Sequence, residues 1–139
     1  MTSYILAAIF AQIALTFAVG LKLLHFRITT HTKNRIPAQM AADEATWNRI
    51  YKDGANISDN FETLFEMPVI FYTLCILLVM HGSADIFDAM LAWGFVLLRV
   101  GHTVVHCTSN TIMHRFATFI SSFVCVFLLA LKIALHYFL

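Results

Sequence analysis

The sequence predicts an all-α integral membrane protein in which four transmembrane helices form one bundle. Hydrophobic residues make up 60% of the chain and charged residues only 12%, against about 45–50% and about 25% in soluble domains. Four apolar stretches reach the roughly 20 residues that a helix needs to cross a bilayer. No alternating pattern typical of a barrel appears, and a backbone in lipid must satisfy its own hydrogen bonds. With 139 residues, we expect a single domain over residues 1–139.

The four predicted spans follow one another along the whole chain. The first 21 residues hold no charged side chain, and the positive start of a cleavable signal peptide is missing from Met1-Thr2-Ser3. We therefore expect the first span to be retained as a membrane helix. The spans cover about residues 4–24, 61–80, 86–105 and 116–138.

Charged residues near the ends of these spans have structural interpretations. Asp59-x-x-Glu62 fits a capping box at the start of the second span. Asp85 and Asp88 open the third span, where carboxylates complement the helix dipole. Lys132 lies near the end of the fourth span and is expected to extend to the membrane interface.

The connections predict how the helices are oriented. The first, over residues 27–60, is long and polar, and Pro37 breaks it. Residues 38–51 contain enough helix formers to predict that the second helix begins well before the bilayer. Five Lys or Arg residues lie in this loop and one beside the third loop, against none in the second loop or at the termini. Loops one and three are thus predicted to be cytoplasmic, and both termini to lie on the opposite side.

Ionisable side chains inside the predicted spans are the candidate functional residues. A charge near the bilayer centre costs about 2.5–3.5 kcal/mol on insertion scales, so it rarely lies there without a role. Arg99, His102 and His106 share one stripe of the third span, and Glu62 and Glu66 are an i, i+4 pair on the second. An ion pair between Arg99 and one of these carboxylates is the first hypothesis, because a guanidinium fits a carboxylate well.

Several classes of function lack support in the sequence. The net charge of +1 is spread thinly, so nucleic acid is not an expected partner. Neither a Gly-rich phosphate loop nor a serine nucleophile motif is visible. No metal site is predicted, since His102 and His106 supply two of the about four ligands that structural zinc needs. A small haem-binding four-helix membrane protein is a further alternative, because axial haem ligands usually come from separate helices and His25, His81 and His114 lie near the predicted helix ends.

Three groups of residues resemble one known family, the membrane-associated proteins in eicosanoid and glutathione metabolism. That family has a first-loop pattern of Arg, Arg, Asn and an acidic residue at offsets 0, 3, 7 and 10. Its third helix carries Arg-x-x-His, often followed by a tyrosine where His106 stands here, and its fourth helix starts with an arginine. The matching residues are Arg49, Lys52, Asn56 and Asp59 in the loop, Arg99-Val-Gly-His102 in the third span, and His114-Arg115 before the fourth.

The resemblance implies a homotrimer that binds glutathione between subunits near the cytoplasmic face, with a lipophilic substrate entering from the bilayer. It suggests a divergent bacterial-type member in the bacterial inner membrane, acting as a glutathione transferase or peroxidase on lipophilic electrophiles. Arg115 would stabilise the glutathione thiolate. A non-catalytic lipid-binding or scaffold member is the alternative. The implied glutathione-binding residues are Arg49, Lys52, Asn56, Asp59, Glu62, Arg99, His102 and His106.

The first-loop pattern also departs from the family. Lys52 replaces an arginine and loses its bidentate geometry, Asp59 is one methylene shorter than the usual Glu, and Gly54 stands where a histidine is common. A second register is equally open, because the stretch from Asn60 to Pro68 is similar to the family's Asn-to-Pro segment.

Overall fold

The protein is a bundle of long helices, as the sequence predicts. The computed structural model describes residues 1–35, 39, 44–108 and 111–138. Four helices in these ranges are long and apolar enough to cross a membrane, which confirms the predicted number of spans. The elements are α1 (Thr2–Asn34), α2 (Glu44–Ile50), a 3-10 turn (Lys52–Gly54), α3 (Ala55–His81), α4 (Ile86–Cys107) and α5 (Ile112–Phe138).

Helix α1 is longer than the predicted first span. It continues to Asn34, so residues 27–34, predicted as loop, are helical. The helix ends where Arg35 adopts a left-handed conformation (φ 49°) and donates its backbone N–H to the carbonyl of His31. Its 33 residues extend about 50 Å at about 1.5 Å per residue, which exceeds the hydrocarbon thickness of about 30 Å. Part of α1 therefore extends beyond the apolar layer.

The second predicted helix is interrupted before it enters the apolar region. Residues 44–50 form the separate helix α2, and a turn then leads into α3; Pro37 and residues 38 and 40–43 lie outside the described residues. The ring of Phe26 fills the space that a side chain at Gly54 would need, so only glycine fits. The predicted Asp59-x-x-Glu62 capping box is wrong, because both residues lie inside α3 and Gly54 is its N-cap.

Helix α4 lies at the centre of the bundle, where it packs against α1, α3 and α5. Phe95 of α4 stacks on Phe71 of α3 with ring centroids 4.4 Å apart. Ile5 of α1 and Leu129 of α5 complete this core from either side. The outer surface is also apolar, as the exposed rings of Phe10, Phe17, Phe123 and Phe127 illustrate, and suits contact with lipid.

A charged cluster links the start of α4 to the end of α5. Asp85 and Asp88 form a reciprocal capping box, each side chain accepting the other's backbone N–H at 3.0 Å, which confirms their predicted role at the helix start. Lys132 pairs with Asp85 and, at 2.8 Å, with the fully buried Asp88. The expectation that Lys132 extends to the interface stays a prediction; its ammonium contacts the two carboxylates at the start of α4, and its side chain is 34% exposed. The same hydrogen bonds lower the pKa of Asp85 to about 2, so the pair persists throughout the neutral pH range.

We predict that Lys132→Met lowers the melting temperature of the protein in detergent. Methionine keeps most of the side-chain length but leaves the buried Asp88 carboxylate without its cation, which costs about 3–5 kcal/mol when a buried pair is broken. The double variant Lys132→Met/Asp88→Asn removes the stranded charge and should recover much of the loss. Equal melting temperatures for wild type and Lys132→Met would contradict this role.

Candidate functional site

The polar stripe of α4 faces the interior of the bundle. Arg99, His102 and His106 are all buried, and Arg99 and His106 have no exposed surface at all. The guanidinium carbon of Arg99 lies 5.6 Å from the ring centre of Phe95 and 5.3 Å from that of Phe119. The predicted shared face is confirmed, and aromatic rings from two helices surround the cation.

Within the described residues, Arg99 has no hydrogen-bond partner for any of its three nitrogens. The hypothesis of an ion pair with Glu62 or Glu66 is wrong for this protomer, because both carboxylates lie on the exposed side of α3. Glu66 acts on Arg99 only through longer-range attraction. A buried cation without an anion is costly in lipid, and no described residue offsets this cost for Arg99 through a hydrogen bond.

His102 connects the stripe to α5. Its ring nitrogen Nδ1 lies 3.2 Å from the carbonyl oxygen of Arg115 and 3.2 Å from the hydroxyl of Thr118. Both residues predicted to act together, His102 and Arg115, border one cavity of about 330 Å³. Its other lining residues are Thr63, Ile112, Phe116 and Phe119. The cavity combines an arginine with apolar walls, as a site for an anionic but partly apolar guest requires.

Asn60 links α3 to the same stripe. Its Nδ2 donates to the hydroxyl of Thr103 at 3.4 Å, and that hydroxyl donates to its Oδ1, also at 3.4 Å. The same Nδ2 lies 3.8 Å from the sulfur of Cys107. Asn60 is fully buried, whereas Asn56 is half-buried in the first turn of α3. Of the two motif registers, the one that uses Asn60 places its asparagine in the polar interior.

The predicted first-loop residues lie apart from the α4 stripe. Arg49 in α2 and Lys52 in the turn are exposed. Asp59 and Glu62 border a smaller polar cavity of about 190 Å³ between α1 and α3, which Arg27 also lines. Asp59 and Glu62 thus border one cavity and His102 and Arg115 another. The other predicted glutathione residues line neither cavity: Arg49, Lys52, Asn56, Arg99 and His106.

Sequence reasoning missed three buried polar residues of the described chain, Gln12, Thr103 and Ser122. Thr103 and Asn60 pair with each other, and Gln12 of α1 is fully buried with no partner for its side-chain amide among the described residues. An uncharged polar residue in an otherwise apolar span is the signal that identifies such positions. Their burial shows that the polar interior extends beyond the ionisable residues.

No group of three or more His, Cys, Asp or Glu side chains that could hold a metal ion occurs in the part of the chain that the structure describes. His102 and His106 lie on one helix with ring centres 5.5 Å apart. Two axial haem ligands require nitrogens on opposite sides of the iron, and adjacent rings on one helix face do not provide this. This pair alone therefore does not supply both axial ligands, and the haem alternative stays a prediction.

We predict that Asn60→Ala destabilises the protein, because it leaves the buried hydroxyl of Thr103 without its partner at a cost of about 1–3 kcal/mol. Asn56→Ala is the comparison at the half-buried position, where water can replace a lost contact, and should lower stability less than Asn60→Ala does. Thermal unfolding of both variants in the same detergent measures the difference. A larger loss in Asn56→Ala than in Asn60→Ala would favour the other register.

Comparison with known proteins places the chain in one family. The model of the MAPEG family matches residues 4–135, which covers all four membrane-spanning helices from the first turn of α1 nearly to the end of α5. No curated protein and no solved structure is similar enough to the chain to count as a match. The extent of the family match nevertheless decides the assignment: the chain is an integral, multi-pass membrane protein that belongs to the MAPEG family.

Proposed function

We propose that this protein is a glutathione-dependent transferase or peroxidase that acts on lipophilic electrophiles dissolved in the membrane. The observation that carries the proposal is the buried guanidinium of Arg99, which has no hydrogen-bond partner among the described residues. Glutathione brings two carboxylates, and an arginine binds a carboxylate through two parallel hydrogen bonds. A carboxylate guest would therefore neutralise the cation that the protomer leaves unpaired.

Arg115 is the proposed catalytic residue. It borders the cavity at the start of α5, and a guanidinium beside a thiol favours the thiolate, which is the nucleophilic form. The thiolate sulfur attacks the electrophilic carbon of the substrate, and a carbon–sulfur bond forms as the leaving group departs with its electron pair. With a hydroperoxide, the sulfur attacks the terminal oxygen, the O–O bond breaks and the alcohol leaves; a second glutathione then displaces water from the sulfenic acid to form the disulfide. The apolar walls at Ile112, Phe116 and Phe119 suit a substrate that arrives from lipid.

In a homotrimer, the α1/α3 cavity of one subunit would lie next to the α4/α5 cavity of its neighbour. Glu62 and Glu66 are exposed on α3, and Glu66 lies 11 residues after the start of that helix at Ala55, which is about 16 Å along it. A carboxylate at this depth is costly against hydrocarbon. Contact with a neighbouring subunit would cover it and would bring the α1/α3 cavity of one copy towards the α4/α5 cavity of another.

The membrane orientation follows from charge. We propose that the glutathione cavities face the cytoplasm, because the basic first loop and Arg115 lie at the same end of the bundle, with both termini on the other side. A bacterial inner membrane is the proposed location. Attaching a reporter to the C-terminus that is active only on one side of the membrane tests this orientation.

We predict that glutathione added to the purified protein produces the ultraviolet absorbance of a thiolate, and that Arg115→Ala removes it. Loss of a neighbouring cation raises a thiol pKa by about 1–3 units, so the band should reappear at correspondingly higher pH. Arg35→Ala, at the exposed end of α1, is the control and should leave the band unchanged. If the wild type shows no thiolate band at any pH below the thiol pKa of free glutathione, the proposed chemistry is refuted.

A second candidate function, non-catalytic lipid binding, is favoured by a different feature. A groove of about 350 Å³ runs between α1 and α3. Thr16 and Tyr72 are its polar lining residues, and the hydroxyl of Thr16 already donates to the carbonyl of Gln12. Such a surface suits an acyl chain, because it offers apolar contact along its length.

We predict that a fatty acid raises the melting temperature of the wild type more than that of Gly20→Leu. A side chain at Gly20 projects towards the ring of Phe61, which lies 3.0 Å from the added Cβ, and leucine would fill the groove. Gly101→Leu is the control, since a Cβ there meets nothing within 4 Å. Stabilisation by fatty acid with no stabilisation by glutathione would favour this function over the enzymatic one.

A further inference from the structure

The contact between α4 and α5 involves one imidazole and one backbone carbonyl. His102 lies five residues before the end of α4 at Cys107, and Arg115 lies in the first turn of α5, which begins at Ile112. The bond from Nδ1 of His102 to the Arg115 carbonyl, 3.2 Å long, joins them. The first turn of a helix is the part most prone to fraying, so this bond stabilises the turn that carries Arg115.

The partners of His102 determine which ring nitrogen carries the proton. A carbonyl oxygen can only accept, so Nδ1 must donate to Arg115. The hydroxyl of Thr118 is 3.2 Å from the same nitrogen, and its single proton is shared between the carbonyls of His114 and Arg115, at 2.9 and 3.0 Å. It therefore also accepts from Nδ1. A neutral imidazole with its proton on Nδ1 leaves a lone pair on Nε2, and Nε2 is buried without a partner among the described residues.

We propose that His102 is a positioning residue for Arg115: its Nδ1–H holds the Arg115 carbonyl and so fixes the turn that aims the guanidinium at the cavity. The inference rests on the proposed function, in which that guanidinium stabilises the glutathione thiolate. The carbonyl of Arg115 receives hydrogen bonds from both Thr118 and His102. The bond from Thr118 lies within α5, whereas the bond from His102 fixes α5 against a different helix.

Formation of the glutathione thiolate then depends on His102, although this residue need not touch the sulfur. A displacement of about 1 Å at a reacting group can cost about a hundredfold in rate. The charged and titratable groups that act on the His102 ring are Arg99 and His106 of α4 and Arg115 of α5. Two of these are permanent cations, so the site needs the imidazole as a neutral donor rather than as a further charge.

The decisive experiment compares His102→Asn with His102→Gln. An asparagine amide nitrogen takes nearly the position of Nδ1 and can still donate to the Arg115 carbonyl. A glutamine amide is one methylene further out and reaches the position of Nε2 instead. Both variants carry the same polar group, so a difference between them measures the reach of the donor and not a general loss of polarity.

We expect His102→Asn to form the glutathione thiolate at the wild-type pH, and His102→Gln to require a pH higher by about one unit or more, since a misplaced cation stabilises the thiolate less. Glutathione dissociation constants, measured in parallel, should change less than the thiolate pH profile. Equal pH profiles for the two variants, with glutathione still bound, would overturn the inference and leave the proposed function intact. Absence of glutathione binding in the wild type would instead overturn the proposed function.

Nitrogen-15 NMR of the imidazole decides the geometry independently of glutathione. The inference requires a His102 ring protonated at Nδ1 with Nε2 free of hydrogen. A ring protonated at Nε2 would contradict it, because Nδ1 could then not donate to the Arg115 carbonyl. Size-exclusion chromatography in detergent confirms that both variants retain the assembly of the wild type before their spectra are compared.

Discussion

The proposed function depends on one constraint, a cation held in an apolar interior. Arg99 is fully buried, its guanidinium lies between the rings of Phe95 and Phe119, and no described residue hydrogen-bonds to it. Contact with aromatic faces stabilises such a cation by about 0.5–2 kcal/mol. This is less than the desolvation penalty of a buried charge. The helix that carries Arg99 packs against α1, α3 and α5, so this cation lies near the centre of the bundle.

The two ends of the bundle differ in whether their buried charged side chains have partners. At the start of α4, Lys132 lies between Asp85 and Asp88, and every charge has a partner. At the other end, Arg99 and His106 have nitrogens that no described residue satisfies. The first end holds the helices together. The second end also has a cavity, which His102 and Arg115 border, and perturbed polar groups near a cavity are typical of binding sites.

Sequence reasoning predicted the membrane class, the number of spans and the shared face of Arg99, His102 and His106, because length, hydropathy and helical spacing are local properties. It misjudged the end of α1 and the interruption before α3, since those boundaries depend on tertiary contacts such as the Phe26 ring over Gly54. It also expected Arg99 to meet Glu62 or Glu66. Helical spacing indicates which residues share a face but not which face turns inward, and on α3 the inward position is Asn60. The family resemblance did find Arg115, which no spacing rule would have joined to His102.

The most direct test of this account is the melting temperature of Arg99→Met with and without glutathione. An unpaired buried cation does not stabilise the empty protein, so the variant should melt at or above the wild-type temperature without glutathione. Glutathione at about 100 times its dissociation constant should stabilise the wild type by about 2.7 kcal/mol and leave the variant nearly unchanged. Equal stabilisation of both proteins by glutathione, or a marked loss of stability in the empty variant, would contradict the claim that Arg99 binds a carboxylate of glutathione.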